Sequence, residues 1–168
     1  MFDKFKGMFG SKDSLAGASA TTLVAEARFE QKNGALGKAA SLFEQAVRTD
    51  EGHADAHRGL ADLYLLQGKE DDALRHFERA VALEPTMQDA HYQIGRIYLG
   101  RKDVVKATRA FQKELEVTPK YARVHNDLAV AYFHQKDFAR AIHHADEAKA
   151  LGEPVHEGFL KALAPYRR

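Results

Sequence analysis

Histidine is the residue type whose number and spacing most readily suggest chemistry in this sequence. The chain has nine histidines, and His53 and His57 are four residues apart, a spacing that places two imidazoles on one face of a helix. Imidazole is a common zinc ligand, but the sequence has no cysteine and no HExxH motif to complete such a site. The adjacent His143 and His144 are predicted to face solvent on an outer helix. We therefore predict no metal site.

Catalysis is not indicated by the sequence either. It contains no glycine-rich phosphate loop and no nucleophile elbow, so we predict that the chain is not an enzyme, has no catalytic residues and needs no cofactor. Lys and Arg number 25 against 24 Asp and Glu, a balance without the basic excess of a nucleic-acid-binding protein. No apolar run approaches the roughly 20 residues of a spanning helix, and the N-terminus lacks the apolar core of a secretory signal. These features predict a cytoplasmic protein.

Three histidines share a spacing that one metal ion does not explain. His57, His91 and His125 are 34 residues apart, and we interpret them as packing residues of a repeat. With units starting at residues 20, 54, 88 and 122, small residues recur at the eighth and twentieth positions, and the first three units have an aromatic residue at the twenty-fourth. These positions hold Ala27, Ala61, Gly95 and Ala129; Ala39, Ala73, Ala107 and Ala141; and Phe43, Phe77, Phe111 and Ala145.

The period has a physical reason. Small residues let the two helices of a hairpin approach closely, the aromatic ring fills the space beside that contact, and Pro85 and Pro119 stop second helices. The pattern resembles the tetratricopeptide-repeat (TPR) family over residues 20–153. The resemblance implies an all-α fold, a right-handed α-solenoid of four TPR helix hairpins plus a C-terminal capping helix, because one hairpin cannot bury its apolar face alone.

The repeat also predicts where helices begin and end. First helices are expected at 20–33, 54–67, 88–100 and 122–135, and second helices at 36–49, 70–83, 104–117 and 138–150, with turns at Gly34, Gly68 and Gly100. A capping helix is expected over 154–166, starting at Pro154. The predicted domains are an N-terminal segment 1–19, repeat units 20–53, 54–87, 88–121 and 122–153, and a capping region 154–168.

Three acidic residues depart from the repeat pattern. Glu26 and Glu30 stand in the first unit where apolar residues are expected, and Glu114 stands where the other units have Ala. We expect the first unit to pack loosely or to meet solvent on one side, as terminal repeats do.

The resemblance also implies a binding surface, since the first helices of TPR arrays line a concave groove that holds a protein or peptide ligand. Apolar and aromatic anchors together with Arg are typical of protein interfaces, and the groove positions carry both kinds. The Arg side chains of such a set can also simply cover their own helices. The predicted groove residues are Arg28, Arg58, Leu65, Tyr92, Arg96, Leu99, Arg123, Asn126, Val130 and Phe133.

Alternative functions follow from the same resemblance. One TPR subclass grips a C-terminal carboxylate, but Asp62 and Asp127 fall where that clamp has Asn and a basic residue, and their charges would repel the ligand. The leading hypothesis is an adaptor or scaffold that binds a partner segment. The alternatives are a self-assembling structural protein, a homo-oligomer at a membrane surface, or a small TPR-type chaperone, a class that tends to be more acidic than this chain.

The N-terminal segment carries an apolar pattern of its own. Phe2, Phe5, Met8 and Phe9 recur at helical spacing, and residues 1–10 resemble an amphipathic membrane-anchor segment. Partial burial of these side chains would give only weak, reversible binding to the inner face of a membrane. Docking on the rest of the chain or on a partner, and disorder, are the alternatives.

Overall fold

A computed structural model describes residues 18–167, and this part of the chain is helical without any strand. Helices α1 to α8 form four successive hairpins, and α9 follows them. Their bounds are α1 Ala20–Lys32, α2 Leu36–Thr49, α3 Ala54–Leu66, α4 Glu70–Leu83, α5 Ala90–Gly100, α6 Val104–Val117, α7 Ala122–His134, α8 Phe138–Ala150 and α9 Glu157–Leu163, with a 3-10 turn at Ala164–Tyr166. None of the helices in this range has the length and apolar character needed to cross a bilayer.

The 34-residue period locates eight of these helices to within two residues of their predicted bounds, and the all-α repeat fold is confirmed. The chain divides into two compact units, each with two hairpins. From here on, the first unit is the one that ends at Pro85, and the second unit is the one that begins at Thr86. The finer division into four units ending at residues 53, 87, 121 and 153 stays a prediction.

The turns inside the hairpins share one backbone conformation. Gly34 and Gly68 have positive φ angles of 79° and 71°, and Lys102 and Lys136, at the same repeat position, have 61°. The prediction that Gly100 forms the turn of the third hairpin is wrong, because Gly100 is the last residue of α5. Neighbouring contacts hold Lys102 and Lys136 in a conformation that costs a side-chain-bearing residue roughly 1 kcal/mol.

The first unit is built around the ring of Phe43 on α2. Small residues at the predicted positions, Ala27 and Ala39, are fully buried where α1 meets α2. The next hairpin packs on this pair through α3, whose Leu60 and Leu63 enter the same apolar cluster.

The second unit is built around Phe111 on α6 in the same way. Ala107 and Ala129 are buried beside it, and Tyr132 of α7 completes the cluster. Helix α9 covers the end of this cluster and inserts the fully buried Leu163. The predicted capping helix therefore exists, but it begins at Glu157 and not at Pro154. The imidazole of His156 caps it by accepting a hydrogen bond from the Gly158 amide at 3.2 Å.

The third hairpin starts two residues later than predicted, at Ala90, and Glu114 is the reason. The Glu114 side chain is fully buried and accepts hydrogen bonds from the backbone amides of Asp89, at 2.9 Å, and Tyr92, at 3.2 Å. It thereby satisfies amides at the start of α5 that have no partner within the helix. Asp89 has a left-handed conformation with φ of 68°, and its carboxylate accepts a 2.6 Å hydrogen bond from the Tyr121 hydroxyl.

Candidate functional site

Four of the histidines form two partly buried pairs, each within one hairpin. Nδ1 of His57 lies 3.0 Å from Nδ1 of His76, and Nδ1 of His125 lies 3.0 Å from Nδ1 of His144. Nε2 of His57 is 3.2 Å from the Glu51 carbonyl oxygen, which only accepts hydrogen bonds. His57 therefore carries its proton on Nε2 and accepts at Nδ1 from His76. His125 has the same arrangement, with its Nε2 3.1 Å from the carbonyl of Pro119.

The second pair changes the sequence interpretation of His144. His144 was expected to face solvent beside His143, and that expectation is wrong. Its ring stacks on Tyr132 with centroids 5.5 Å apart, and burial, followed by the charges of His125 and other neighbours, lowers the pKa of His144 to about 4. Burial likewise lowers the pKa values of His57 and His76. In residues 18–167, no three His, Asp or Glu side chains are grouped so as to hold a metal ion.

The pairs make the stability of the protein depend on pH. The folded pKa of His144 lies near 4 and the unfolded value near 6.5, so the unfolded chain binds more protons between these values. Stability is therefore complete above about pH 6.5 and falls as the pH drops towards 4, by less than about 1.4 kcal/mol per pH unit for this partly exposed group. Urea unfolding at several pH values measures the slope.

The first hairpin supplies the control for this prediction. Leu23 and Leu42 occupy the positions that the pairs occupy in the second and fourth hairpins, and both are buried. The double variant His125→Leu/His144→Leu places leucine at both positions, as in the first hairpin. It is expected to lose stability less steeply on acidification than the wild type. An unchanged slope would show that carboxylates elsewhere cause the acid sensitivity.

Two of the predicted groove residues of the first unit, Arg28 and Arg58, line a cleft between α1 and α3. Its volume is about 300 Å³. The sequence predicted Arg28 and Arg58 in this surface. The ring of Phe43 lies beneath the cleft against Gly59, but it is fully buried and not accessible from the cleft. The residues around the cleft are Arg28, Gln31, Lys32, Phe43, Arg58, Gly59 and Asp62. Leu65 is half-buried farther along α3.

Cations outnumber carboxylates around this cleft. Arg28 forms an ion pair with Asp55 across the two helices, and Arg58 Nε lies 4.0 Å from the Asp62 carboxylate one turn away. Lys32, at the exposed end of α1, has no ion pair within residues 18–167. The cleft therefore offers positive charge to a ligand.

In the second unit, Tyr92 is packed inside the unit and not displayed. Only 7% of its surface is exposed, and its ring lies 5.9 Å from Phe111 and 5.2 Å from Tyr121, measured between centroids. The Arg96 guanidinium lies over this ring at 5.8 Å and is itself exposed. The position of Tyr92 is thus explained by packing within the unit, and Arg96 is the accessible group of the two.

Asp127 links the charged residues of this surface. Tyr92 hydrogen-bonds to its carboxylate, and Arg96 and Arg123 are close enough to act on its charge. Burial raises the pKa of Asp127 and raises the pKa of Tyr92 to about 12. The sequence identified Asp127 only as an obstacle to a carboxylate clamp, whereas it lies among two of the predicted groove arginines.

The remaining predicted groove residues of this unit are half-buried. Phe133 packs edge-on against Phe138, at 5.5 Å, and against Phe159 of α9, at 5.4 Å. Leu99 packs beside the apolar cluster of the unit, while Asn126 and Val130 are partly exposed along α7. Phe133 therefore holds α9 in place, while Leu99 and Val130 stay partly exposed and Arg96 and Arg123 are exposed.

The predicted membrane or partner contacts Phe2, Phe5, Met8 and Phe9 lie outside the described residues. What the described residues can do chemically is bind. Arg28, Arg58, Arg96 and Arg123 can receive acidic groups through charge-assisted hydrogen bonds, and the half-buried apolar residues can pack against a ligand.

Solved structures resemble this chain throughout most of its length. Two crystal structures of MamA match with TM-scores of 0.72 and 0.75 at 20% and 22% identity; both cover 89% of this chain, and the match spans 83% and 85% of the MamA chains. A structure of the APC/C hetero-tetramer Cut9–Hcn1 matches with a TM-score of 0.69 at 18% identity, covering 89% of this chain and 30% of that one. At these identities the likeness shows the fold alone.

No curated protein sequence matches the chain significantly. The sequence profile of the tetratricopeptide repeat family, however, matches residues 24–90, 67–116 and 92–154. Repeats of this family serve in general as protein-interaction scaffolds and not as enzymes, in line with the sequence prediction. Because these matches span most of its length, the chain belongs to the tetratricopeptide repeat family.

Proposed function

We propose that this protein is an adaptor that binds an extended segment or a helix of a partner protein along the first helices of its hairpins. The cleft between α1 and α3 is the observation that carries the proposal. Its basic rim, formed by Arg28, Lys32 and Arg58, favours a segment that carries Asp or Glu side chains.

The electrostatics of the cleft support this choice of ligand. Arg28 and Arg58 already have carboxylate partners at the protein surface, and such pairs contribute little to stability. Exchanging Asp55 or Asp62 for a carboxylate of the ligand therefore costs little. Lys32 can bind a carboxylate of the ligand without first giving up an ion pair within residues 18–167.

The second unit offers a comparable surface. Arg96 and Arg123 are exposed near Asp127, and the half-buried Leu99 and Val130 supply apolar area. In this proposal Tyr92 and Phe133 act indirectly, by holding Arg96 and α9 in place. Truncating either of them would damage packing, so neither is suited to a binding test.

Charge reversal at the cleft tests the proposal. Wild-type protein and a Lys32→Glu/Arg58→Glu variant would capture partners from native lysate, with mass spectrometry to identify what is retained. The matched control, Arg48→Glu/Arg79→Glu, makes the same change in charge on exposed residues of the second helices α2 and α4. We expect the cleft variant to lose a partner that the wild type and the control both retain, with unchanged helicity by circular dichroism.

Two results would contradict the proposal. A set of partners that the cleft variant leaves unchanged would exclude the cleft as the binding surface. Equal loss in both variants would indicate that net charge alone governs capture. A partner that passes the test should then bind with a Kd that rises at least about tenfold in the cleft variant, since two charge-assisted contacts are removed.

Self-assembly is the second candidate function, and one observation favours it. Leu66, the last residue of α3, is 67% exposed, more than any other large hydrophobic side chain in residues 18–167. Light scattering over a concentration series would detect assembly, and Leu66→Lys should abolish it if this residue is responsible. A monomer at all concentrations would exclude this function.

A further inference from the structure

The first hairpin has a side that resembles a packing surface with its partner removed. We call the residues Ala25, Glu26, Phe29 and Glu30 the leading face of α1. One repeat later, the same positions of α3 hold Gly59, Leu60, Leu63 and Tyr64. Those residues pack on the preceding hairpin: Leu60, Leu63 and Tyr64 join its apolar cluster, and Gly59 lies against the ring of Phe43.

The equivalent positions on α1 and α3 differ in how exposed their side chains are. Leu63 is 2% exposed, whereas Phe29 at the equivalent position is 55% exposed and Ala25 is exposed beside it. In the part of the chain that the structure describes, only Ala18 and Ser19 precede α1, so no described hairpin covers this face. An aromatic side chain at a repeat position that is otherwise buried indicates a surface meant to be covered.

The charges of the leading face define what can cover it. Lys38 Nζ lies 2.6 Å from a carboxylate oxygen of Glu30 and 3.5 Å from Glu26 Oε1, so two carboxylates share one ammonium group. Glu26 is 2% exposed, and its second oxygen, Oε2, is buried without a hydrogen-bond partner among residues 18–167. A buried carboxylate oxygen without a donor is unfavourable, so this site favours an additional cation.

The chain carries a segment of matching chemistry directly before α1. Phe2, Phe5, Met8 and Phe9 recur at helical spacing in the sequence, and Lys4 and Lys6 outnumber Asp3. Ten residues, 10–19, join Phe9 to α1 and can extend to roughly 33–36 Å. Phe29 lies nine residues along α1, about 13 Å from its start, so the linker is long enough.

We propose that residues 2–9 dock on the leading face of α1 in the same molecule, with apolar side chains against Phe29 and a lysine beside Glu26 and Glu30. The segment thereby takes the place that the preceding second helix takes at α3. A short linker gives an effective concentration in the millimolar range, which favours the chain's own segment over that of a second copy. This docking is independent of the proposed binding of partners by the cleft.

Disulfide trapping tests the docking, because the chain contains no cysteine of its own. Full-length Met8→Cys/Ala25→Cys would be oxidised under mild conditions beside the control Met8→Cys/Ser41→Cys. Ser41 is exposed on α2 but is not part of the leading face, and its roughly twofold longer separation from Met8 would by itself slow ring closure only about threefold. We expect an intramolecular disulfide to form at least about tenfold faster with Ala25→Cys. Equal rates, or a disulfide-linked dimer as the main product, would overturn the proposal.

Fluorescence provides a second readout that needs no disulfide. The chain has no tryptophan, so Phe29→Trp introduces a single probe on the leading face. Combining it with Phe5→Asp/Phe9→Asp should shift its emission to longer wavelength and increase its quenching by acrylamide. Lys4→Glu/Lys6→Glu should act in the same direction, since it brings negative charge to Glu26 and Glu30. A probe that responds to none of these changes would also overturn the proposal.

Discussion

Replacing Gly95 with alanine should lower the free energy of unfolding by about 2 kcal/mol, although alanine is the better helix former. A Cβ atom at Gly95 would lie 2.4 and 2.5 Å from two ring carbons of Phe111. Phe111 is fully buried at the centre of the second unit, so its ring cannot swing into solvent. The overlap must instead push α5 away from α6 and loosen the cluster around it.

Gly100 supplies the matched control in the same helix. A Cβ atom there would meet nothing within 4 Å, so Gly100→Ala is expected to leave stability unchanged or to raise it slightly. Chemical denaturation of the two variants and the wild type measures the difference. If Gly95→Ala proves as stable as Gly100→Ala, then α5 and α6 do not approach as closely as the structure indicates.

Replacing Glu114 with leucine is the second change with a large expected effect, a loss of about 2–4 kcal/mol. An apolar residue would be expected to fit this position, since the other hairpins have buried alanines at the equivalent positions. It removes the acceptor of the Asp89 and Tyr92 amides, however, and leaves both without a partner at the start of α5. Each buried amide that loses its hydrogen bond costs roughly 1–3 kcal/mol.

Glutamine at this position separates hydrogen bonding from packing. Glu114→Gln keeps the shape and one accepting oxygen, so we expect less than half of the loss seen with leucine. Hydrogen exchange adds a local readout, because the amides of Asp89 and Tyr92 should exchange faster in Glu114→Leu than in Glu114→Gln. Equal stability of the leucine variant and the wild type would contradict the role of Glu114 as a helix cap.

The helices could be predicted because each depends on a period that is visible in the sequence. Small residues, Phe and turn positions recur every 34 residues, and they place helices from α1 to α8 without reference to any distant contact. The start of α5 was missed because it depends on Glu114, which lies 25 residues beyond Asp89 and acts through a tertiary hydrogen bond. The start of α9 was misplaced because Pro154 suits a first helical turn but stands before the helix here.

The candidate site was harder to predict for a different reason. Repeat position identifies which residues lie on first helices, but not whether a side chain is displayed or packed. Tyr92 lies among Phe111 and Tyr121, and Phe133 lies against α9, whereas Arg96 is exposed. The histidine pairs, in contrast, can be recognised in the sequence, because His occurs at both partner positions, 19 residues apart, in the second and fourth hairpins.

The buried Glu114 also bears on how such a chain can evolve. Repeat arrays grow and shrink by duplication or loss of whole units, which requires that each unit carries its own contacts. In the third hairpin Glu114 on α6 accepts a hydrogen bond from the Asp89 amide before α5, and the Asp89 carboxylate in turn accepts one from the Tyr121 hydroxyl, just before α7. A recombination point between Asp89 and Tyr121 would separate residues that need one another. This hairpin and the start of its successor are therefore inherited as a single piece, while the more regular hairpins are free to be exchanged.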